Sequence, residues 1–300
     1  MKKKFDREAA REQLETTLNT LKQGIAALTT SEDWEKFLEV SAAFHSYSFN
    51  NWMLIFMQMP HATRVAGFRT WLKLDRQVKK GEKAIRILAP SPRKFTAQVE
   101  KQNPTTGEVS VEQEERSYMR YRAVPVFDIS QTDGEDLPSL TTELQGNADE
   151  DLVAQDLFNR LESHAFKAGF CVEVRHISGA ASGYMDPSSR VLAVEQDLPV
   201  LHRAKTLAHE CAHMVLHADL DMKLEHNSRS QQEVEAESVA FCLLKAFGLD
   251  SSLCSFGYVA GWSNGDPDKV TEAGQNIHKA FHQLLDATAP STTQDLDTAA

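Results

Sequence analysis

The sequence is poor in cysteine and lacks the cysteine spacings that bind metals or build disulfide frameworks. Its 300 residues contain four cysteines, and none of them forms a Cys-x-x-Cys pair. Closely paired cysteines are the usual mark of zinc ribbons, redox centres and secreted disulfide scaffolds. We therefore expect reduced, mostly buried thiols in a cytoplasmic protein, and no metal held by cysteine. The four are Cys171, Cys211, Cys242 and Cys254.

Long hydrophobic runs are also missing. The longest strongly apolar run covers residues 52–57, whereas a helix that crosses a bilayer needs about 20 such residues. The basic start of the chain, Met1 to Lys4, leads into charged residues rather than an apolar segment, so we expect no secretory signal. Hydrophobic residues make up 41% and charged residues 25%, as in soluble globular proteins. No membrane partner is expected.

Positive charge is scarce in the chain as a whole but concentrated in one segment. The net charge is −11, yet the segment from Arg64 to Lys94 holds ten basic residues against only two acidic ones, Asp75 and Glu82. This segment therefore carries +8, and the remainder of the chain carries −19. Such asymmetry is typical of a local anion-binding face, although a solvated strand-and-loop surface gives the same pattern.

The periodicity of apolar residues predicts an α+β fold with two domains. Residues 1–60 show helical spacing, and alternation from Ala84 to Ile129 indicates strands that form a hairpin around the turn Pro104–Gly107. We predict an N-terminal α+β domain over residues 1–132 and a linker over residues 133–148, where apolar periodicity is absent. A second, mostly helical domain with a small antiparallel sheet follows over residues 149–286, and residues 287–300 form a disordered tail.

The motif His209-Glu210-Cys211-Ala212-His213 predicts a metal site on a helix. Residues four apart lie on one helical face, so both imidazoles can point at one ion. Zinc accepts nitrogen ligands and, in catalytic sites, keeps one position open for water. Glu210 lies between the two histidines, where it can take a proton from that water and pass it to a leaving amine. The pattern thus indicates a zinc peptidase.

Neighbouring segments contain further candidate metal ligands. His217 continues the spacing, but on a continuous helix it has rotated about 80° away from His209, and we interpret it as structural. Glu233 and Glu237 share a face of the next predicted helix. We predict that Glu233 binds the metal and that Glu237 accepts a hydrogen bond from a ligating histidine. The hairpin of residues 183–194 offers an edge strand to a peptide, and Tyr184 either packs or stabilises an oxyanion.

These motifs resemble known families. Residues 206–217 followed by 233–237 resemble the ImmA/IrrE-type metallopeptidases, which have a zincin-like domain. The segments Tyr47–Asn51, 62–71, 77–83 and 126–132 resemble the N-terminal domain of ArdC-type antirestriction proteins, and Tyr258–Trp262 is similar to a late motif of that family. The resemblance implies a domain that binds single-stranded DNA, joined to a zinc metallopeptidase-like domain, in antirestriction or another mobile-element or DNA-protection role.

The N-terminal half contains the residue types that single-strand binding requires. Such binding combines a positive groove for phosphates with aromatic faces on which bases stack. The aromatic side chains also fit core packing, and the two asparagines also fit helix capping. The predicted DNA-binding residues are Tyr47, Asn50, Asn51, Arg64, Phe68, Trp71, Arg76, Lys79, Lys80 and Lys83.

Three hypotheses follow from the sequence. The first is a protein in which single-stranded DNA binding directs a zinc-dependent peptidase that acts on a protein or peptide. The second is a DNA-protecting module whose zinc domain is structural. The third is an acidic DNA mimic, permitted by the charge of −19 outside the basic segment, but the acidic residues do not form the dense, aromatic-poor runs expected of a mimic.

Overall fold

The computed structural model describes residues 7–28, 30–44, 46–102, 109–135, 137, 149–218, 229–252, 254, 263 and 266–289. The predicted turn at Pro104–Gly107, most of the linker (136 and 138–148), the motif Tyr258–Trp262 and the tail from residue 290 lie outside these ranges. Within them, no helix combines the length and apolar character that a membrane span needs.

Within the described residues, the N-terminal half contains four α-helices and five strands, as the α+β prediction required. Three helices precede the first strand, and the second of them has a side-chain cap: Thr30 accepts a hydrogen bond from the backbone N–H of Asp33 at the start of α2. The helices are α1 (Arg7–Ala27), α2 (Ser31–Ser41), α3 (Phe49–Gln58) and α4 (Phe68–Lys73). The strands are β1 (Val65–Ala66), β2 (Gln77–Val78), β3 (Ile85–Gln102), β4 (Val109–Asp128) and β5 (Thr132–Asp133).

The longest feature of this half is the antiparallel hairpin of β3 and β4. Its register runs from the pair Ile85 and Val126 near the core to the pair Gln102 and Val109 at the far end. Two side-chain amides of α3 fix its base. Asn51 bonds both the N–H and the C=O of Leu88, and Gln58 does the same to Arg86. The two side-chain amides thus bond to the backbone at the edge of β3, as the backbone of a neighbouring strand would.

The C-terminal half surrounds a three-stranded sheet with helices. Its elements are α5 (Glu150–Lys167), β6 (Cys171–Arg175), β7 (Gly183–Asp186), β8 (Val191–Glu195), α6 (Val200–His217), α7 (Arg229–Ala246) and α8 (Pro267–Thr288). The predicted antiparallel hairpin of β7 and β8 is present, but β6 pairs parallel with β8, so the sheet is mixed rather than antiparallel. Asp133, predicted to lie in the linker, pairs instead with Gln77.

Both halves share one hydrophobic core. Buried side chains of α2 and α3 belong to the same cluster as those of α6, α7 and α8. Polar contacts cross the junction as well: the indole N–H of Trp34 donates to Ser238 Oγ at 2.9 Å, and His278 Nε2 lies 2.7 Å from the backbone oxygen of Tyr47. Gly274 of α8 faces the ring of Phe49 so closely that a Cβ would overlap it. The halves are therefore packed against each other, not merely joined by a linker.

Candidate metal centre

Two neighbouring helices, α6 and α7, bring three metal-binding atoms together. His209 Nε2 and His213 Nε2 are 3.1 Å apart, and Glu233 Oε2 lies 3.4 Å from the former and 3.6 Å from the latter. A tetrahedral site with bonds of about 2.0–2.2 Å separates its donors by about 3.3–3.6 Å. The three atoms are thus already spaced as ligands of one ion, and the side chains fit a metal.

Glu237 fixes the orientation of the first imidazole. Its Oε2 lies 2.8 Å from His209 Nδ1, on the side of the ring that faces away from the ligand cluster. If Nδ1 carries the proton and donates it to this carboxylate, Nε2 keeps a lone pair for the metal. This contact is the one expected of Glu237 from the sequence.

Lys205, which the sequence prediction missed, completes this arrangement. Its Nζ lies 2.9 Å from Glu237 Oε1, and both side chains are largely buried. Lys205 precedes His209 by one helical turn, so one face of α6 supplies both groups that hold the carboxylate. The spacing was visible in the sequence, but a lysine on a helix is usually solvated and gives no signal by itself.

The carboxylates of Glu233 and Glu237 make the surroundings of His209 favour positive charge. Burial lowers the pKa of His209, but its hydrogen bonds with Glu233 and Glu237 outweigh burial and raise the pKa to about 9. The hydrogen bonds from His209 and His213 in turn hold the pKa of Glu233 well below its ordinary range. A proton and a metal cation would compete for the same place, because both neutralise the same carboxylates.

Glu210 lies on the side of α6 that faces the sheet. Its side chain is buried, and a Cβ added to Gly183 would lie 3.2 Å from Glu210 Oε1. Burial raises the pKa of Glu210, although His209 and His213 act in the opposite direction. A carboxylate with a raised pKa is a better proton acceptor near neutral pH than an exposed one.

Neither of the two remaining candidates joins the cluster. His217 faces Glu235 at 3.6 Å, and burial lowers the pKa of His217 to about 4, which supports the structural interpretation. Tyr184 follows Gly183, which faces α6, and because neighbouring strand residues point to opposite faces it turns away from the cluster. There its hydroxyl accepts a hydrogen bond from Arg175, so the structure gives no support to an oxyanion role.

Four of the predicted DNA-binding residues are instead structural. Tyr47 and Trp71 are buried and donate to the backbone oxygens of Val65 and Phe127, so neither offers a ring face for stacking. The buried guanidinium of Arg76 bonds Thr132 and the backbone oxygen of Glu135. The amide of Asn51 is occupied by Leu88, as described above.

The other predicted DNA-binding residues remain available to a partner to different degrees. Phe68, Lys80 and Lys83 are exposed, while Asn50 and Arg64 are partly buried. Lys79 is also exposed, and it donates to the backbone oxygen of Ser130 and lies 3.7 Å from Asp133. The segments that resemble the ArdC family therefore serve largely to fold this half: Asp128 accepts from the N–H groups of Thr63 and Arg64, and Gln131 donates to Glu82.

The cysteines take no part in the cluster. Cys211 and Cys242 are buried and free, and burial raises their thiol pKa values. Cys254 is partly buried, and Cys171 on the edge strand β6 is the one exposed exception to the expectation of mostly buried thiols.

A helix that supplies two histidines and a glutamate, packed on a second helix that supplies a further carboxylate, defines a metallopeptidase-like domain of the HExxH type. Comparison with protein families agrees. The N-terminal domain of anti-restriction factor ArdC matches residues 8–127, and the IrrE N-terminal-like domain, a peptidase family, matches residues 173–244. The chain therefore combines a match to the ArdC N-terminal domain with a match to the IrrE-like domain, which confirms the resemblance seen in its motifs.

Individual relatives are distant. An uncharacterized protein of Bacillus anthracis is 29% identical in an alignment of 274 residues that covers 82% of this chain and 45% of that protein, so the chain spans about half the length of that relative. Crystal structures of the antirestriction ArdC protein from plasmid R388 are 20% identical in a metal-free form and 21% in a Mn(II)-bound form. The two alignments cover 81% and 82% of this chain and 85% and 86% of the respective crystal-structure chains. Their TM-scores are 0.45 and 0.44.

Proposed function

We propose that the protein binds single-stranded DNA through its N-terminal half and acts as a zinc-dependent metallopeptidase through its C-terminal half, in an antirestriction or DNA-protection role. The observation that carries the peptidase part is the convergence of His209 Nε2, His213 Nε2 and Glu233 Oε2 within 3.6 Å of one another. The ArdC-type N-terminal domain supports the DNA part.

His209, His213 and Glu233 would hold the metal. Two imidazoles and one carboxylate are a common ligand set of catalytic zinc sites, and they leave a coordination position open. A divalent metal held there supplies Lewis-acid polarisation of water or of a peptide carbonyl. Glu237, with Lys205 behind it, keeps His209 in the tautomer that exposes Nε2.

Glu210 is the proposed proton carrier. It accepts a proton from the attacking water and returns it to the leaving amine. The substrate is a protein or peptide in extended conformation, because β7 lies at an edge of the sheet with Gly183 next to Glu210. A peptide that pairs with this edge would lie beside the reacting groups.

A second candidate function is a DNA-protecting module in which the metal is structural. One observation favours it: the helix that carries Glu233 and Glu237 also carries Ser238, which binds Trp34 of the N-terminal half. A metal between α6 and α7 would therefore also stabilise the core that both halves share.

The substitution Glu210→Gln separates the two functions. It removes the proton acceptor but keeps the size of the side chain and leaves the proposed ligands in place. We expect unchanged zinc content, unchanged affinity for a labelled single strand, and loss of proteolysis by at least 100-fold. If the variant still cleaves at the wild-type rate, Glu210 is not the base. If DNA protection survives in the variant and the wild type cuts no protein, the structural role is correct and the peptidase proposal fails.

A further inference from the structure

The outer part of the β3–β4 hairpin extends beyond the hydrophobic core. Ile85, Ile87 and Val126 at its base are buried. Farther out, none of the side chains in residues 89–98 and 113–122 is buried. We refer to these two segments as the hairpin arm. Its solvent-facing side chains do not fill the core, so the residue types found there have another role.

One face of the arm combines arginines with aromatic rings. Residues that pair directly across an antiparallel ladder share a face, and alternate pairs alternate between faces. The pairs Ala89 with Arg122, Ser91 with Arg120, Arg93 with Tyr118 and Phe95 with Arg116 therefore lie on one side. We call this side the arginine–aromatic face. Its functional side chains are Arg93, Phe95, Arg116, Tyr118, Arg120 and Arg122, and all six are exposed.

Acidic groups barely reduce the charge of this face. The four pairs that define it contain four arginines and no carboxylate. Among the side chains that the structure describes, the carboxylate that approaches this face belongs to Glu114, opposite Ala97 at the outer end, and its Oε2 lies 3.0 Å from the guanidinium of Arg116. The opposite side of the arm differs, because its one lysine, Lys94, is paired with Glu115 at 3.3 Å.

Two exposed rings lie in the middle of the arginines. The rings of Phe95 and Tyr118 are 5.7 Å apart between centroids and inclined at 67°. An edge-to-face pair covers only part of the ring surface, so ring faces remain open for stacking. At about 3.4 Å per residue, the six steps from Ala89 to Phe95 span about 20 Å. This is enough for up to about six nucleotides at ~3.4 Å each.

We propose that the arginine–aromatic face is the contact surface for single-stranded DNA, a deepening of the proposed function on which it rests. Arginines bind the phosphates, and the two rings stack on bases. Only a single strand presents both groups at once, because a duplex keeps its bases stacked inside and an acidic protein surface has no bases. This assignment replaces the buried Tyr47 and Trp71 as the source of stacking rings.

The test compares opposite faces of the same arm. The double substitution Phe95→Ala/Tyr118→Ala removes both rings of the proposed face. Met119→Ala/Tyr121→Ala is the matched control, because these residues are each 55% exposed on the opposite side. Affinity for a fluorescein-labelled 15-nucleotide thymidine strand is measured by anisotropy at several salt concentrations, with circular dichroism as the check on folding. Tyr118→Phe, which keeps the ring, serves as a conservative variant.

We expect the Phe95/Tyr118 variant to bind at least tenfold more weakly, and the control and Tyr118→Phe variants to bind within twofold of wild type. The substitutions Arg93→Glu/Arg120→Glu should flatten the slope of log K against log salt by about 1.4, since two phosphate contacts are lost.

Other outcomes overturn the proposal. If the wild type binds the strand but all arm variants bind equally well, the face is wrong while the proposed function stands. If the wild type does not bind single strands, the proposed DNA function itself fails. If duplex DNA competes as well as the single strand, the class of partner is wrong.

Discussion

The metal centre and the hairpin arm are built on opposite physical principles. The imidazoles of His209 and His213 are only 16% and 13% exposed, and both ring nitrogens of His209 have polar neighbours within 3.4 Å. The rings of Phe95 and Tyr118 are 46% and 48% exposed and are fixed mainly by the ladder beneath them. The centre depends on exact placement by neighbouring side chains, whereas the arm depends on which residue types share a face.

This difference predicts how each region responds to change. A small displacement in the centre separates donors that now lie within 3.6 Å, so single substitutions there should have large effects. On the arm, each contact acts nearly alone, and losses should accumulate gradually. The two activities should therefore be separable, although both halves share one core.

The largest expected effect is loss of the metal when a ligand is removed. His209→Ala and Glu233→Ala each delete one donor, and we expect zinc to fall from one equivalent to below a tenth of an equivalent by elemental analysis. Affinity for single-stranded DNA should stay within twofold of wild type, because the arm is untouched.

His176→Ala provides the control for this prediction. His176 belongs to a second, more exposed group with Glu195 and Asp197 that could also hold an ion. In that group Glu195 already accepts hydrogen bonds from the backbone N–H groups of Ile177 and Asp197. Retention of zinc in His176→Ala is expected, and loss of zinc in this variant alone would place the metal in the second group instead.

A smaller effect is expected at Lys205, which does not touch the proposed metal position. Lys205→Met removes the partner of Glu237 Oε1 and leaves the carboxylate less firmly held against His209. Changes behind a ligand typically weaken metal affinity about 10–100-fold, and we expect about tenfold here. Lys205→Arg keeps the charge and should recover most of the affinity in a competition titration with a chelator. Equal affinity in Lys205→Met and wild type would show that Glu237 orients His209 unaided.

The geometry of the candidate metal centre was largely predictable from sequence because its signals are local. His209 and His213 are one helical turn apart, and the carboxylates Glu233 and Glu237 share one face of a single helix. The structure brings the four together as that spacing indicated. Lys205 was missed because nothing in a sequence distinguishes a lysine that is buried against a carboxylate from a solvated one.

The proposed nucleic-acid surface was harder to predict because burial is a tertiary property. Trp71 and Arg76 have the residue types of a DNA contact, but their donors are used by Phe127 and Thr132, far away in the chain. The alternation of Arg116, Tyr118, Arg120 and Arg122 was visible in the sequence. Its meaning depends on the hairpin register, which brings Arg93 and Phe95 onto the same face.

We propose that His209, His213 and Glu233 together bind the metal, and zinc K-edge X-ray absorption of the zinc-loaded wild-type protein is the sharpest test of this ligand set. We expect scattering from two imidazoles and from oxygen, with the same two imidazoles in His217→Ala. A zinc–sulfur distance of about 2.3 Å, or a third imidazole that disappears in His217→Ala, would contradict it.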